Sequence, residues 1–137
     1  MPSVVGKYQH YKNENIDEYF SAVGVPYMAR KMIAMSSPLM EITYDGKTMT
    51  IKNSSLLRTT ESTFKIGVEY DEHMPANTIK SITTFINDNE METKSVIPDT
   101  NENTSRHYLF TDDECIITLT HEKAKIAGKR YFRRLSQ

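Results

Sequence analysis

The sequence predicts an all-β fold of about ten antiparallel strands, an up-and-down barrel or a sandwich, interrupted once by two short helices. Three observations carry this. After Pro38 the chain divides into short segments of alternating apolar and polar residues, separated by turn residues at fairly regular spacing. Between the first alternating segment and that series, the apolar period changes from two to three and four. No repeat with a period of roughly 20–50 residues recurs and no segment is of low complexity, so a single domain over residues 1–137 is the simplest account.

The first strand is expected over Gly6–Lys12, with Tyr8, His10 and Lys12 on one face and Lys7, Gln9 and Tyr11 on the other; Asn13–Asn15 break it. Ile16, Tyr19, Phe20 and Val23 then recur at helical spacing, with Asn15 as cap, Asp17 and Glu18 in the first turn and Gly24 at the close. Pro26 opens a second helix that carries Met28, Met32, Ile33 and Met35, leaves Arg30 and Lys31 exposed, and stops at Ser36-Ser37-Pro38. Asp45-Gly46 reads as a two-residue hairpin turn between Met40–Tyr44 and Thr48–Lys52. Further strands are expected at Arg58–Lys65, Val68–His73, Thr78–Ile86, Met91–Ile97, Thr104–Thr111, Cys115–His121 and Ala124–Arg134. A closed barrel that contains something apolar needs a cover over its open end, so the helical pair at about 15–35 reads as a lid.

Composition excludes several functions. The chain has 137 residues and a formal net charge of −1, with lysines and arginines interspersed among acids, so no nucleic-acid partner is expected. Cys115 is the only cysteine, the N-terminal run lacks the charged start and apolar stretch of a signal peptide, and no apolar run is long enough to span a bilayer. A cytoplasmic protein is expected. His10, His73, His107 and His121 lack the spacing of a zinc site, and no nucleophile elbow, phosphate loop or dinucleotide fingerprint occurs, so neither a cofactor nor an enzyme is expected.

The residues resemble the intracellular lipid-binding proteins, the fatty-acid-binding and cellular retinoid-binding family, over essentially the whole chain. The resemblance rests on Gly6-Lys7-Tyr8; on Asn15-Ile16-Asp17-Glu18-Tyr19-Phe20, where Ile16 replaces the usual aromatic; and on Val23-Gly24-Val25-Pro26-Tyr27-Met28-Ala29-Arg30-Lys31. It rests most specifically on Thr59-Thr60-Glu61-Ser62-Thr63-Phe64-Lys65-Ile66-Gly67-Val68-Glu69-Tyr70-Asp71-Glu72, similar to the family's "NTE…F.LG.EF.E". The final strand, Ile126–Leu135, is similar to the family strand whose Arg-x-Tyr grips a ligand carboxylate: Arg130 falls on the Arg and Phe132 on the Tyr. The resemblance implies a ten-stranded antiparallel up-and-down β-barrel (β-clam) capped by a helix-turn-helix lid. It also implies a monomer that reversibly binds and carries a long-chain fatty acid, or alternatively a retinoid such as retinoic acid.

The carboxylate of such a ligand is expected at Arg130, with Tyr108 and Arg106 as further polar contacts and Phe132 beside them. Phenylalanine cannot supply the hydroxyl donor of the family's tyrosine. Arginine suits the anchor because its planar fork meets a carboxylate through two donors. The wall around the ligand chain is expected to comprise Ile16, Tyr19, Phe20, Val25, Ala29 and Ile33 of the lid, with Pro38, Met40, Ser55, Leu57, Ala76, Ile117 and Leu119 of the barrel. Transient contact of the lid with anionic membranes is a further expectation. From another class, the chain could be a protein or membrane interaction module with a filled barrel.

Overall fold

A computed structural model describes residues 4–56, 58–74 and 77–135. Ten strands and two helices follow in the order β1 (Gly6–Glu14), α1 (Ile16–Ala22), α2 (Tyr27–Met35), β2 (Leu39–Tyr44), β3 (Thr48–Ser54), β4 (Thr59–Lys65), β5 (Tyr70–His73), β6 (Thr78–Asn87), β7 (Glu90–Ile97), β8 (Glu102–Phe110), β9 (Glu114–His121) and β10 (Gly128–Arg134). All strands lie in one antiparallel sheet, β4-β3-β2-β1-β10-β9-β8-β7-β6-β5, each neighbour joined by a hairpin except β1, which pairs with both β2 and β10. The sheet curls into a nearly closed barrel. Among the described residues no ladder joins β4 to β5; instead Phe64 and Tyr70 stack across the gap, rings parallel within 4° and centroids 4.2 Å apart.

Alternation puts Tyr8, Met40, Ile42, Met49, Ile51, Phe64, Ile117 and Phe132 inside. Between the buried Ile79 and Met91, the middle inward residues of β6 and β7 are short and polar: Ser81, Thr83, Thr93 and Ser95 are buried and hydrogen-bonded in pairs, Ser81 to Ser95 and Thr83 to Thr93, each at 2.7 Å. Paired hydroxyls satisfy one another across adjacent strands, so this half of the interior can be polar without orphaned groups.

Four local expectations are corrected. The β2–β3 turn is displaced by one residue: Tyr44 pairs with Met49 and the Asp45 amide donates to the Thr48 carbonyl, so Gly46, at φ 98°, and Lys47 form the tip. Asp45 stands beside that tip and its Oδ1 accepts the amides of Lys47 and Thr48 at 2.9 and 2.7 Å. Asn15 sits in the left-handed region at φ 55° and makes no side-chain cap; it is tolerated there because a short amide residue bears that conformation well. The last strand begins at Gly128, not Ala124, since the preceding residues turn and bend before pairing starts.

The first strand holds the fourth correction. It runs on to Glu14, and a bulge between His10 and Lys12 moves the later residues by one position, so that Asn13 pairs with Arg130. Lys12 therefore leaves the face of Tyr8 and His10 and its ammonium lies 4.8 Å from the outer ring of Tyr131.

Helix α1 seals one end through Ile16 and Tyr19, both buried over Gly128. A Cβ placed on Gly128 would stand 3.0 Å from the Tyr19 Cβ and 3.1 Å from the Ile16 Cδ1. Gly128→Ala is therefore expected to destabilise the fold by about 1–3 kcal/mol through overpacking. Urea unfolding checks the amount, and faster amide exchange in α1 than in the sheet would locate it; an unchanged midpoint would mean that α1 yields at no cost.

Candidate functional site

Two adjoining cavities occupy the barrel. One, of about 300 Å³, lies under the lid and is lined by Phe20, Ser36, Pro38, Met40, Asn53, Ser55, Arg58, Thr60, Arg106, Tyr108, Ile117, Leu119, Arg130 and Phe132. The other, of about 220 Å³, reaches the β4–β5 gap and shares Asn53, Arg58, Thr60, Arg106 and Tyr108 with the first, adding among others Ile51, Phe64, Tyr70, Glu72 and Thr93. The first alone is at the lower bound of volumes typical of small-molecule sites.

Of the expected carboxylate contacts, Arg130, Arg106, Tyr108 and Phe132 all line the first cavity. Phe20, Pro38, Met40, Ser55, Ile117 and Leu119 of the expected wall line it too. Ile16 and Tyr19 do not, because they are spent on Gly128, and Val25, Ala29 and Ile33 are half-buried in the lid without lining it. Leu57 and Ala76 lie outside the described residues.

The two interior arginines differ in their partners. Arg106 is ion-paired to Glu72, whose Oε1 also accepts the Ser81 hydroxyl at 2.8 Å. Burial alone would make Arg106 easier to deprotonate, but its interactions with Tyr108 and with the Glu72 carboxylate outweigh that and raise its pKa. Arg130 meets only neutral acceptors: its Nε donates to Asn13 Oδ1 at 3.1 Å, and its Nη2 to the Ser36 carbonyl at 2.8 Å and, at the limit, to the Ile33 carbonyl at 3.5 Å. Those carbonyls end α2, where the helix dipole is negative. Burial lowers the Arg130 pKa to about 10, and no described carboxylate stands against it. Its Nη1 carries no hydrogen bond to a described residue, which leaves the outer edge of the fork open to an anion.

Sequence reasoning missed Asn13, Ser36, Asn53, Arg58, Thr60 and Glu72. Glu72 had a signal, since it lies two residues from Tyr70 on a strand and therefore shares its face. Asn13 had none, because only the bulge turns it inward.

The lid itself departs from expectation. No residue of α2 is buried, and Met28, Met32 and Met35 are 71%, 53% and 84% exposed. Arg30, expected in solvent, instead ties the helices together, its Nε donating to Asp17 Oδ1 at 3.0 Å and its Nη1 to the Val25 carbonyl at 2.8 Å. Helix α2 is thus held by arginine–oxygen bonds at each end. Arg130→Leu is expected to speed amide exchange over residues 27–35 while β9 keeps its protection, because charged hydrogen bonds contribute about 1.5–3 kcal/mol; equal protection of α2 in both proteins would remove the fastening role.

His10 is buried beside this centre, its Nε2 donating to Asn13 Oδ1 at 2.7 Å and its ring edge-on to Phe132 with centroids 5.4 Å apart. Burial, aided by the Arg130 charge and opposed by Asn13, holds its pKa below the usual 6.5. The folded state then binds less proton at His10 than the unfolded state, so the stabilisation is complete above pH 6.5 and is lost as pH falls from there through the lower folded-state pKa. His10→Gln is expected to lose less stability than the parent between about pH 7 and about pH 5, as read from urea midpoints; parallel losses would exclude His10 as a contributor.

The family model for "Lipocalin / cytosolic fatty-acid binding protein family" matches residues 5–124. Cellular retinoic acid-binding protein 2 of Homo sapiens is 34% identical over 125 residues, covering 88% of this chain and 91% of the relative. Among solved structures, the fatty acid binding protein of Schistosoma mansoni in complex with arachidonic acid superposes with a TM-score of 0.89 at 26% identity, over 99% of this chain and 98% of that one. The fatty acid-binding protein in brain tissue of Drosophila melanogaster does so with a TM-score of 0.83 at 35% identity, over 96% and 99%.

Proposed function

Because the chain belongs to the lipocalin / cytosolic fatty-acid binding protein family, we propose that it is a cytoplasmic carrier that reversibly binds a long-chain fatty acid inside the barrel, its carboxylate at Arg130. The observation that carries this reading is the imbalance between the two interior arginines. Arg106 has its counter-ion in Glu72, whereas Arg130 is a desolvated cation with neutral partners only and an open edge toward an apolar wall. A buried charge without a partner is costly, and an entering carboxylate removes that cost while its chain covers Phe20, Met40, Ile117 and Phe132.

Burial of roughly fifteen methylenes at about 0.8 kcal/mol each contributes about 12 kcal/mol. Losses of several kcal/mol on association leave an affinity of about micromolar to tens of nanomolar. Retinoic acid is the second reading, favoured by the retinoic acid-binding proteins among the relatives. It presents the same carboxylate to the same arginine, so the two ligands are separated by the shape of the wall. The outward Tyr27, Met28, Met32 and Met35, with Lys31, make the lid the surface through which a monomer would touch an anionic membrane during transfer.

Mass spectrometry of lipid extracted from protein purified from its native source tests the ligand class directly. Titration calorimetry tests the anchor: Arg130→Leu is expected to keep the barrel and weaken binding of hexadecanoic acid by about 1.5–3 kcal/mol. Unchanged affinity in the folded variant would place the carboxylate elsewhere.

A further inference from the structure

One polar group in the cavity makes no hydrogen bond to Arg130. Tyr108 is 4% exposed, its ring nearly parallel to that of Phe110, and it lines both cavities. Its hydroxyl makes no hydrogen bond to any described residue, although Arg106, Glu72 and Tyr70 are near enough to act on it electrostatically. Two of those neighbours have partners of their own: Arg106 Nη2 donates to Glu72 Oε1, and the Tyr70 hydroxyl is hydrogen-bonded to Thr83 Oγ1 at 2.9 Å. The hydroxyl is nevertheless not sealed in packing, since it is not among the described side-chain atoms that are both fully buried and without a hydrogen bond. It faces the cavity as a donor, and burial raises its pKa to about 12, so it keeps its proton at working pH.

The strand register separates this donor from the anchor. Arg130 pairs with Ile117, and Ile117 with Tyr108, so the three form one row across β10, β9 and β8, and the Cα atoms of Arg130 and Tyr108 are about 10 Å apart, two inter-strand spacings. Arg130 also turns its fork the other way, toward Asn13 of β1 and Ser36 below α2. An apolar Ile117 stands between the two polar groups in this row, and no hydrogen bond joins them.

We propose that the ligand is a long-chain acid with a second oxygen function, a hydroxyl or keto group part way along its chain, received by the Tyr108 hydroxyl while the carboxylate stands at Arg130. This rests on the carboxylate-carrier reading above and narrows it. A plain hydrocarbon chain laid past Tyr108 strips the hydroxyl of its hydrogen bond, which is a cost. A chain oxygen at that point restores the bond, whereas a chain oxygen placed elsewhere along the apolar wall is itself left unpaired.

The experiment is titration calorimetry of the full chain with hexadecanoic acid and with a series of monohydroxylated hexadecanoic acids in which the hydroxyl is moved along the chain, repeated on Tyr108→Phe. One narrow range of mid-chain positions is expected to bind about three- to tenfold tighter than hexadecanoic acid, the span of one added hydrogen bond, with hydroxyls outside it binding more weakly. Tyr108→Phe should abolish that preference and bind hexadecanoic acid somewhat more tightly than the parent does, since no hydroxyl is left to be stripped of its hydrogen bond, which also shows that the variant is folded. A flat or uniformly unfavourable dependence on hydroxyl position overturns the inference and leaves the carrier reading standing. Weaker binding of every acid to Tyr108→Phe, hexadecanoic acid included, also overturns it, by showing that Tyr108 serves the carboxylate. Binding of none of these acids to the parent protein overturns both.

Discussion

A guanidinium inside a barrel with only neutral oxygens around it is the constraint from which the rest of this site follows. Desolvating a full charge is costly, and what offsets the cost at Arg130 is a set of aligned dipoles: the carbonyl of Ser36 at the end of α2 and the amide oxygen of Asn13. These dipoles hold the cation without neutralising it. The same contacts fasten the lid to β10 and use the bulge of β1, because without the bulge Asn13 would not oppose Arg130. Anchor, lid and strand irregularity are one construction.

Arg106 shows the alternative outcome. Its pairing with Glu72 closes a network through Ser81 and Ser95 on the polar side of the barrel, where Thr83 and Thr93 are also paired. Truncating one partner of a buried pair costs several kcal/mol, because the remaining charge is stranded. An incoming carboxylate that took Arg106 would strand Glu72 in the same way. At Arg130 it displaces no acid, so between Arg106 and Arg130 the energetics favour the one on β10.

Much of this architecture was legible in the sequence. Strict alternation revealed the strands because each has one face inside and one in solvent, and a change of period revealed both helices. That Arg130 shares a face with Phe132, and Arg106 with Tyr108, followed from parity, and the family resemblance turned those faces inward. What was not legible depends on a count that parity cannot see. The bulge in β1 inserts one residue and exchanges Lys12 for Asn13 on the inner face, and the β2–β3 turn slips by one, so that Gly46 and Lys47 rather than Asp45 and Gly46 form its tip. The methionines of α2 look like core because their spacing is helical, yet a lid one layer thick over a cavity has no second layer to cover them. The partners of the arginines were hidden for a further reason: Glu72 and Arg106, or Ser36 and Arg130, are far apart in sequence and meet only through the closed sheet and the folded lid.

The exposure of α2 and its polar fastening belong together. A lid sealed by apolar side chains would resist opening by about 1.5–3 kcal/mol for each one withdrawn into water. Helix α2 buries no residue fully, so lifting it exposes little apolar surface, and the bonds that break, those of Arg130 to Ser36 and of Arg30 to Val25 and Asp17, are replaced in part by bonds to water. Helix α1, by contrast, buries Ile16 and Tyr19 against Gly128 and stays with the barrel. The division gives the lid a fixed half and a detachable half, with the detachable half held by the residue that anchors the cargo in the proposed carrier. Opening at that end frees the acceptors of Arg130 in the same motion that uncovers the cavity, so a carboxylate reaches the cation when the lid has given up its own claim on it.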